Sequence, residues 1–198
     1  DPASGKPKRE GQEYTITGIV AARITLPDHR TVEFVLKAGE PALQIIAEGD
    51  SGKELIPRNE VKLAGTLGEG PIGAGLRLKQ GSSSVLATNQ AFGISEMRGG
   101  SFFKDASSLA GRYVQLTNVT FASGPFPSTG TATVKTSDGL DVALLIGKNA
   151  FNQAAPDEPV NVFGIPVQVR GQWHLVAARF LLTRAKSVQA IAFKRTCL

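Results

Sequence analysis

Along most of the chain apolar and polar positions alternate, in runs rich in Val, Ile, Leu, Thr and Phe that are set apart by clusters of Gly, Pro, Asp and Asn. A period of two, β-branched enrichment and turn residues at the boundaries mark strands, and no stretch carries the 3.6-residue period of a long amphipathic helix. The pattern predicts strands near Tyr14–Leu26, Thr31–Lys37, Ala42–Ala47, Glu60–Leu67 and Gly75–Leu78, the last with room to continue through Val85. A second set falls near Tyr113–Phe121, Thr131–Thr136, Asp141–Ile146, Pro159–Val169 and Trp173–Leu182. Five strands therefore occur twice.

The two sets are related by an internal repeat. Tyr14 in EYTITGIV aligns with Tyr113 in RYVQLTNV, Gly39 with Gly139, Val61 with Val160 and Gly65 with Gly164, all at separations of 99 or 100 residues. A fixed period of this kind reports architecture that single segments conceal. The first strand of each set also changes the parity of its apolar face. Val114 and Leu116 have one parity, Val119 and Phe121 the other, with the switch at Thr117 and Asn118; Ile16 and Ile19 switch in the same way around Thr17 and Gly18. A β-bulge at each switch restores the inward direction and coils a long first strand around a small barrel. Between the third and fourth strands, Lys148–Ala155 has the length for one or two helical turns before Pro156. The matching Ser51–Leu55 has capping-box spacing at Ser51 and Glu54, but room only for a vestige.

A long bulged first strand, a hairpin with a Gly turn, a short insertion and a V-x-L/V-x-G strand leading to a closing hairpin together resemble the OB-fold. That family is a five-stranded Greek-key barrel named for binding oligonucleotides and oligosaccharides. The second half, GRYVQLTNVTF through GQWHLVAARFLL, is similar to small OB modules of exported bacterial proteins, which occur beside nucleases, in cell-surface proteins or in sensor ectodomains. The resemblance covers residues 13–88 and 109–183 and implies an all-β fold of two consecutive OB-like barrels. It implies fold far more than function, and it supplies no catalytic residue. The expected organisation is a polar spacer at 1–12, a first barrel at 13–89, a connector at 90–108, a second barrel at 109–183 and a basic tail at 184–198. Phe102 and Phe103, adjacent in the connector, are expected to pack between the two modules.

The 198 residues, 41% of them hydrophobic, are enough for one or two globular domains. Mean hydropathy is −0.03, and no run reaches the roughly 18 consecutive apolar residues of a membrane-spanning helix. One cysteine, Cys197, excludes an intrachain disulfide and a multi-cysteine metal site. A net charge of +5 raises the question of nucleic acid. Residues 1–99 carry 12 basic and 12 acidic side chains, whereas residues 100–198 carry 10 and 5. Four of those ten, Arg184, Lys186, Lys194 and Arg195, lie in the last fifteen positions. The excess belongs largely to the tail, and the folded halves are nearly balanced, whereas a nucleic-acid groove normally needs cations on the folded face that tracks phosphates. Val188, Ile191 and Phe193 in the tail suit docking on a barrel, with contact to an anionic surface as the alternative. The only methionine is Met97, and the opening DPASGKPKREG reads as a spacer following a cleaved export signal or another domain. That makes an extracytoplasmic location, periplasmic or secreted, the expectation.

Candidate chemistry is sparse. GEGPIG, Gly68–Gly73, fits the spacing of a dinucleotide loop, but AGLRLK follows it where a helix would have to open, and Pro71 lacks a donor. A glycine turn between the fourth and fifth strands is the better reading. His29 and His174 have no second ligand at metal spacing, and Asp157–Glu158 reads as a solvated turn. No cofactor, metal site or catalytic constellation is expected, which points to a non-enzymatic binding or interaction module. In an OB barrel the loops after strands one and four flank the ligand face of strands two and three. In the second half these loops are SGPFPSTG and VRGQWH. Phe126, Trp173 and Arg170, with Lys135 on the adjacent strand, therefore form the candidate site, a stacking subsite for a base or sugar ring. The competing reading is that Trp173 caps the barrel core and Phe126 folds over it as a plug; both readings put the two rings in contact. The partner is undetermined, with protein or glycan favoured over single-stranded nucleic acid and an accessory domain of a larger enzyme or sensor as a further alternative.

Overall fold

A computed structural model describes residues 9–26, 30–36, 41–47, 52–122, 130–147, 158–169 and 171–183. The first five strands are β1 (Glu13–Thr25), β2 (Thr31–Leu36), β3 (Leu43–Ile46), β4 (Glu60–Gly70) and β5 (Gly73–Ala87). They close into a barrel in the order β1–β2–β3–β5–β4, with β1 completing the ring against β4 and β3–β5 running parallel. After β6 (Ser95–Met97) and α1 (Gly99–Leu109) come β7 (Val114–Phe121), β8 (Gly130–Lys135), β9 (Asp141–Ile146), β10 (Val160–Val169) and β11 (Gln172–Leu182). Their order, β7–β8–β9–β11–β10, closes through a β10–β7 pairing, again with one parallel pair, β9–β11. Both are the five-stranded Greek-key order of the OB-fold, so the all-β fold of two consecutive OB-like barrels read from the sequence is the one observed.

The glycines of the repeat have a geometric cause. A Cβ on Gly65 would collide with the Arg77 carbonyl oxygen, and one on Gly164 with that of Val176, because in both barrels the fourth strand presses onto the backbone of the fifth. The register of each hairpin slips beside its glycine. The two tyrosines are not equivalent. Tyr14 lies opposite Gly65, but the residue opposite Gly164 is Val114. Tyr14 packs on the first barrel's core while Tyr113 faces the other way, into the contact between barrels.

The bulge in β7 lies where the parity switch puts it. Val160 pairs with Val119 and Val162 with Leu116, so Thr117 and Asn118 together face Asn161. Asn118 takes a left-handed φ of 54°, a conformation that Asn tolerates, and donates its backbone N–H to Asn161 Oδ1 at 3.0 Å. The bulge in β1 lies elsewhere than expected. Pairing with β4 runs unbroken through Thr17 and Gly18, and the extra residue is Ala21, between Val20 and Ala22 on the β2 side. Gly18 fills an inward position where a Cβ would strike the Leu36 carbonyl, so the apparent parity switch is an interior glycine.

The connector is structured, and it belongs to the second barrel. β6 runs parallel to β7, and α1 sends Phe102 and Ala106, both fully buried, inward with Leu109 beside them. The expectation that Phe102 and Phe103 pack between modules is corrected: Phe102 lies in the second barrel's core and Phe103 is 47% exposed. Spacing 102, 106, 109 is a helical stripe that two leading glycines and two turns of polar residues obscure. The Lys148–Ala155 insertion and the tail lie outside the described residues. No helix among the described residues is long and apolar enough to cross a membrane.

What joins the barrels is a third apolar cluster. Residues facing outward from the first barrel, Ala22, Ile24, Val32 and Phe34, pack against Tyr113, Phe163, Ile165 and Val176, which face outward from the second. On β2 the alternation is complete: Val35 enters the barrel core while Val32 and Phe34 enter the seam. The Ala42 N–H donates to the Gly111 carbonyl across it.

Candidate functional site

Of the four candidate residues, Phe126 and Arg170 lie outside the described residues. Trp173 is partly buried and packs against the second barrel's core, in line along β11 with the inward Leu175 and Ala177. Lys135 is exposed at the end of β8, and its Nζ lies 2.9 Å from Asp141 Oδ1. Strand alternation explains both placements: Trp173 has the inward parity of β11, whereas Thr131, Thr133 and Lys135 have the outward parity of β8 and are all exposed.

The surface that OB-folds offer to ligands is unequal in the two barrels. In the first, the outer face of β2 is the seam, with Val32 and Phe34 buried there. In the second, the outer face of β8 is open.

Two concavities were not anticipated from the sequence. One, of about 320 Å³, lies at an end of the first barrel and includes Arg23, Arg30, Glu33, Glu69 and Arg77. Glu33 has the inward parity of Val35, is fully buried, and has no hydrogen-bond partner on either carboxylate oxygen. Arg23 Nε stands 3.4 Å from Oε1, an ion pair without hydrogen-bond geometry. Burial pushes the Glu33 carboxyl from its ordinary 4.5 to about 7, against the opposing pull of the Arg23 charge and of Glu33's own backbone.

The second concavity, about 420 Å³, opens at the seam. Phe92, Ile94, Tyr113 and Phe163 provide its apolar wall, and Arg23, Arg58 and Arg179 its charge. Phe92 and Tyr113 meet edge to face with centroids 4.9 Å apart, and the Arg179 guanidinium lies 5.9 Å from the centroid of Phe163. Arg58, at a left-handed φ of 74°, donates to the carbonyls of Gln90 and Asn89, both at 3.4 Å. Burial raises the Tyr113 phenol above its ordinary 10, with the Arg179 charge opposing. At neutral pH its hydroxyl therefore keeps its proton and serves as a hydrogen-bond donor. The sequence signal for this site is faint: Arg179 interrupts the apolar run LVAARFLL, and Arg58 follows Pro57 in a turn.

GEGPIG is the β4–β5 hairpin, with Gly70 paired to Gly73 across Pro71 and Ile72. His174 Nδ1 lies 3.1 Å from the Gln172 carbonyl. Among the described residues no group of three His, Cys, Asp or Glu could hold a metal ion.

No family model matches the sequence, and none of the curated proteins does. Among solved structures the chain is similar to a murine DNA-binding protein bound with double-stranded DNA, at 10% identity and a TM-score of 0.38 over 86% of this chain and 96% of that one. It is also similar to the wild-type single-stranded DNA-binding protein from Thermus aquaticus, at 13% identity and a TM-score of 0.27 over 91% and 97%. The OB assignment rests on strand order and register, not on these likenesses.

Proposed function

We propose that the chain is a non-enzymatic tandem OB-fold binding module in which the first barrel is a scaffold and the second presents the ligand-facing surface. The observation that carries this reading is the asymmetry of the two outer faces: Val32 and Phe34 of the first are buried in the seam, while Thr131, Thr133 and Lys135 of the second are exposed. By sequence Phe126 and Arg170 fall in the stretches after β7 and β10, the loops that in an OB barrel flank the ligand face. A protein or glycan partner fits better than a single strand of nucleic acid, because the cation on β8 already faces Asp141 at 2.9 Å. A phosphate-tracking groove needs cations available for counterion release.

The test is a titration with fluorescent mixed-sequence single-stranded DNA and RNA at two salt concentrations, beside a glycan panel. The module reading expects no tight, salt-sensitive strand binding. Strand binding that weakens steeply with salt, and that loses roughly 1 to 3 kcal/mol in Phe126→Ala through lost stacking, would replace it with a nucleic-acid function. Phe126→Ala is the cleaner variant, since Trp173 also packs on the core.

A further inference from the structure

We propose that the cleft at the seam between the barrels is a separate binding site for a small aromatic anion, a ring system carrying a phosphate or carboxylate. The lining joins two chemistries that such a ligand matches. Its apolar half is Phe92, Tyr113, Phe163 and Ile94, and Ile94 stands 51% exposed, an apolar side chain with water over it. Its polar half is cationic: among the described residues lining the cleft there are three arginines and no carboxylate. Arg23 is engaged by Glu33. Arg58 is bonded to two neutral carbonyls, and Arg179 lies over a ring, so both keep an uncompensated charge at the cleft. Planar guanidinium forks suit phosphate and carboxylate alike, and they hold an anion more strongly beside a low-dielectric wall. The volume, about 420 Å³, is that of a small-molecule site. The Tyr113 hydroxyl adds a neutral donor beside Arg179.

This site is distinct from the rim of the second barrel. Arg179 is six residues along β11 from Trp173, roughly 20 Å at the rise of a strand, so rim and cleft can be tested apart. Isothermal titration of the whole chain with AMP, indole-3-acetate, adenosine and inorganic phosphate separates the contributions. AMP and indole-3-acetate share a ring and an anion, adenosine lacks the anion, and phosphate lacks the ring. The expected result is that AMP, indole-3-acetate or both bind, each about tenfold or more tighter than adenosine and phosphate, and that Arg179→Gln weakens them by about tenfold. Preference between AMP and indole-3-acetate then identifies the anion as phosphate or carboxylate. The proposal is overturned if neither anion binds at millimolar concentration, if adenosine or phosphate alone binds as tightly, or if Arg179→Gln and Arg58→Gln both leave affinity intact. Arg179 and Arg58 are exposed, and far-ultraviolet circular dichroism checks that the variants remain folded.

Discussion

Glu33 is a carboxylate in a place where strand parity demands an apolar side chain. Its neighbours in the same inward layer are Val35 and Ile45, and Arg23, 42% exposed, opposes its charge from 3.4 Å. The unfolded chain titrates this group near 4.5 and the folded chain near 7. Below the lower value both states are protonated; between the two, the folded state holds a proton that the unfolded state has released. Stability is therefore highest below about pH 4.5 as far as this group is concerned, and falls as pH rises through 7, by about 3 kcal/mol in all. Glu33→Gln removes that dependence. Thermal melts at pH 5 and pH 8 are expected to show the variant gaining on the parent as pH rises; parallel profiles would mean that the carboxylate is solvated or compensated in solution.

Strands were the legible elements because their period is two and each barrel face is buried on one side at least. Asp141–Ile146 coincides with β9, and eight of the other predicted strands overlap their counterparts with shifts of one to three residues at the ends; the exception is β5, read as Gly75–Leu78 with room to continue through Val85, which runs from Gly73 to Ala87. The repeat was legible through Gly65 and Gly164, since the steric collision that excludes a side chain is the same in both barrels. It misled at Tyr14 and Tyr113, where matching identity concealed a one-residue shift and hence opposite faces. Helix α1 was missed because Gly99 and Gly100 open it and no side chain caps it. Its contribution comes from packing: Phe102 is fully buried among Met97, Val114 and Leu116. Phe102→Ala is expected to destabilise the protein by about 3 to 5 kcal/mol, with Phe103→Ala near neutral because that ring is half exposed. Urea unfolding of both variants compares them directly, and equal losses would show that α1 does not dock through Phe102. The candidate site was less legible than the fold, because the seam brings together Arg58, Phe92, Tyr113 and Arg179 from segments that no local pattern relates.

For the whole molecule, the seam decides whether two barrels behave as one body. Seam and barrel cores share strands residue by residue: on β11, Leu175 and Ala177 point into the second barrel while Val176 between them points into the seam. Opening the seam therefore uncovers outward-facing Val32, Phe34, Ile165 and Val176 together, at roughly 1.5 to 3 kcal/mol for each large apolar side chain returned to water. Interfaces between domains that move freely are more polar than this continuous apolar layer. The barrels are consequently expected to unfold in a single transition, with a calorimetric enthalpy equal to the van't Hoff enthalpy for the whole chain. Two resolved transitions, or a van't Hoff enthalpy well above the calorimetric one, would count against this, the first by separating the barrels and the second by requiring association. The same coupling bears on the cleft. Arg58 is carried by the first barrel and Arg179 by the second, so a ligand held between them binds the closed seam and raises that one transition.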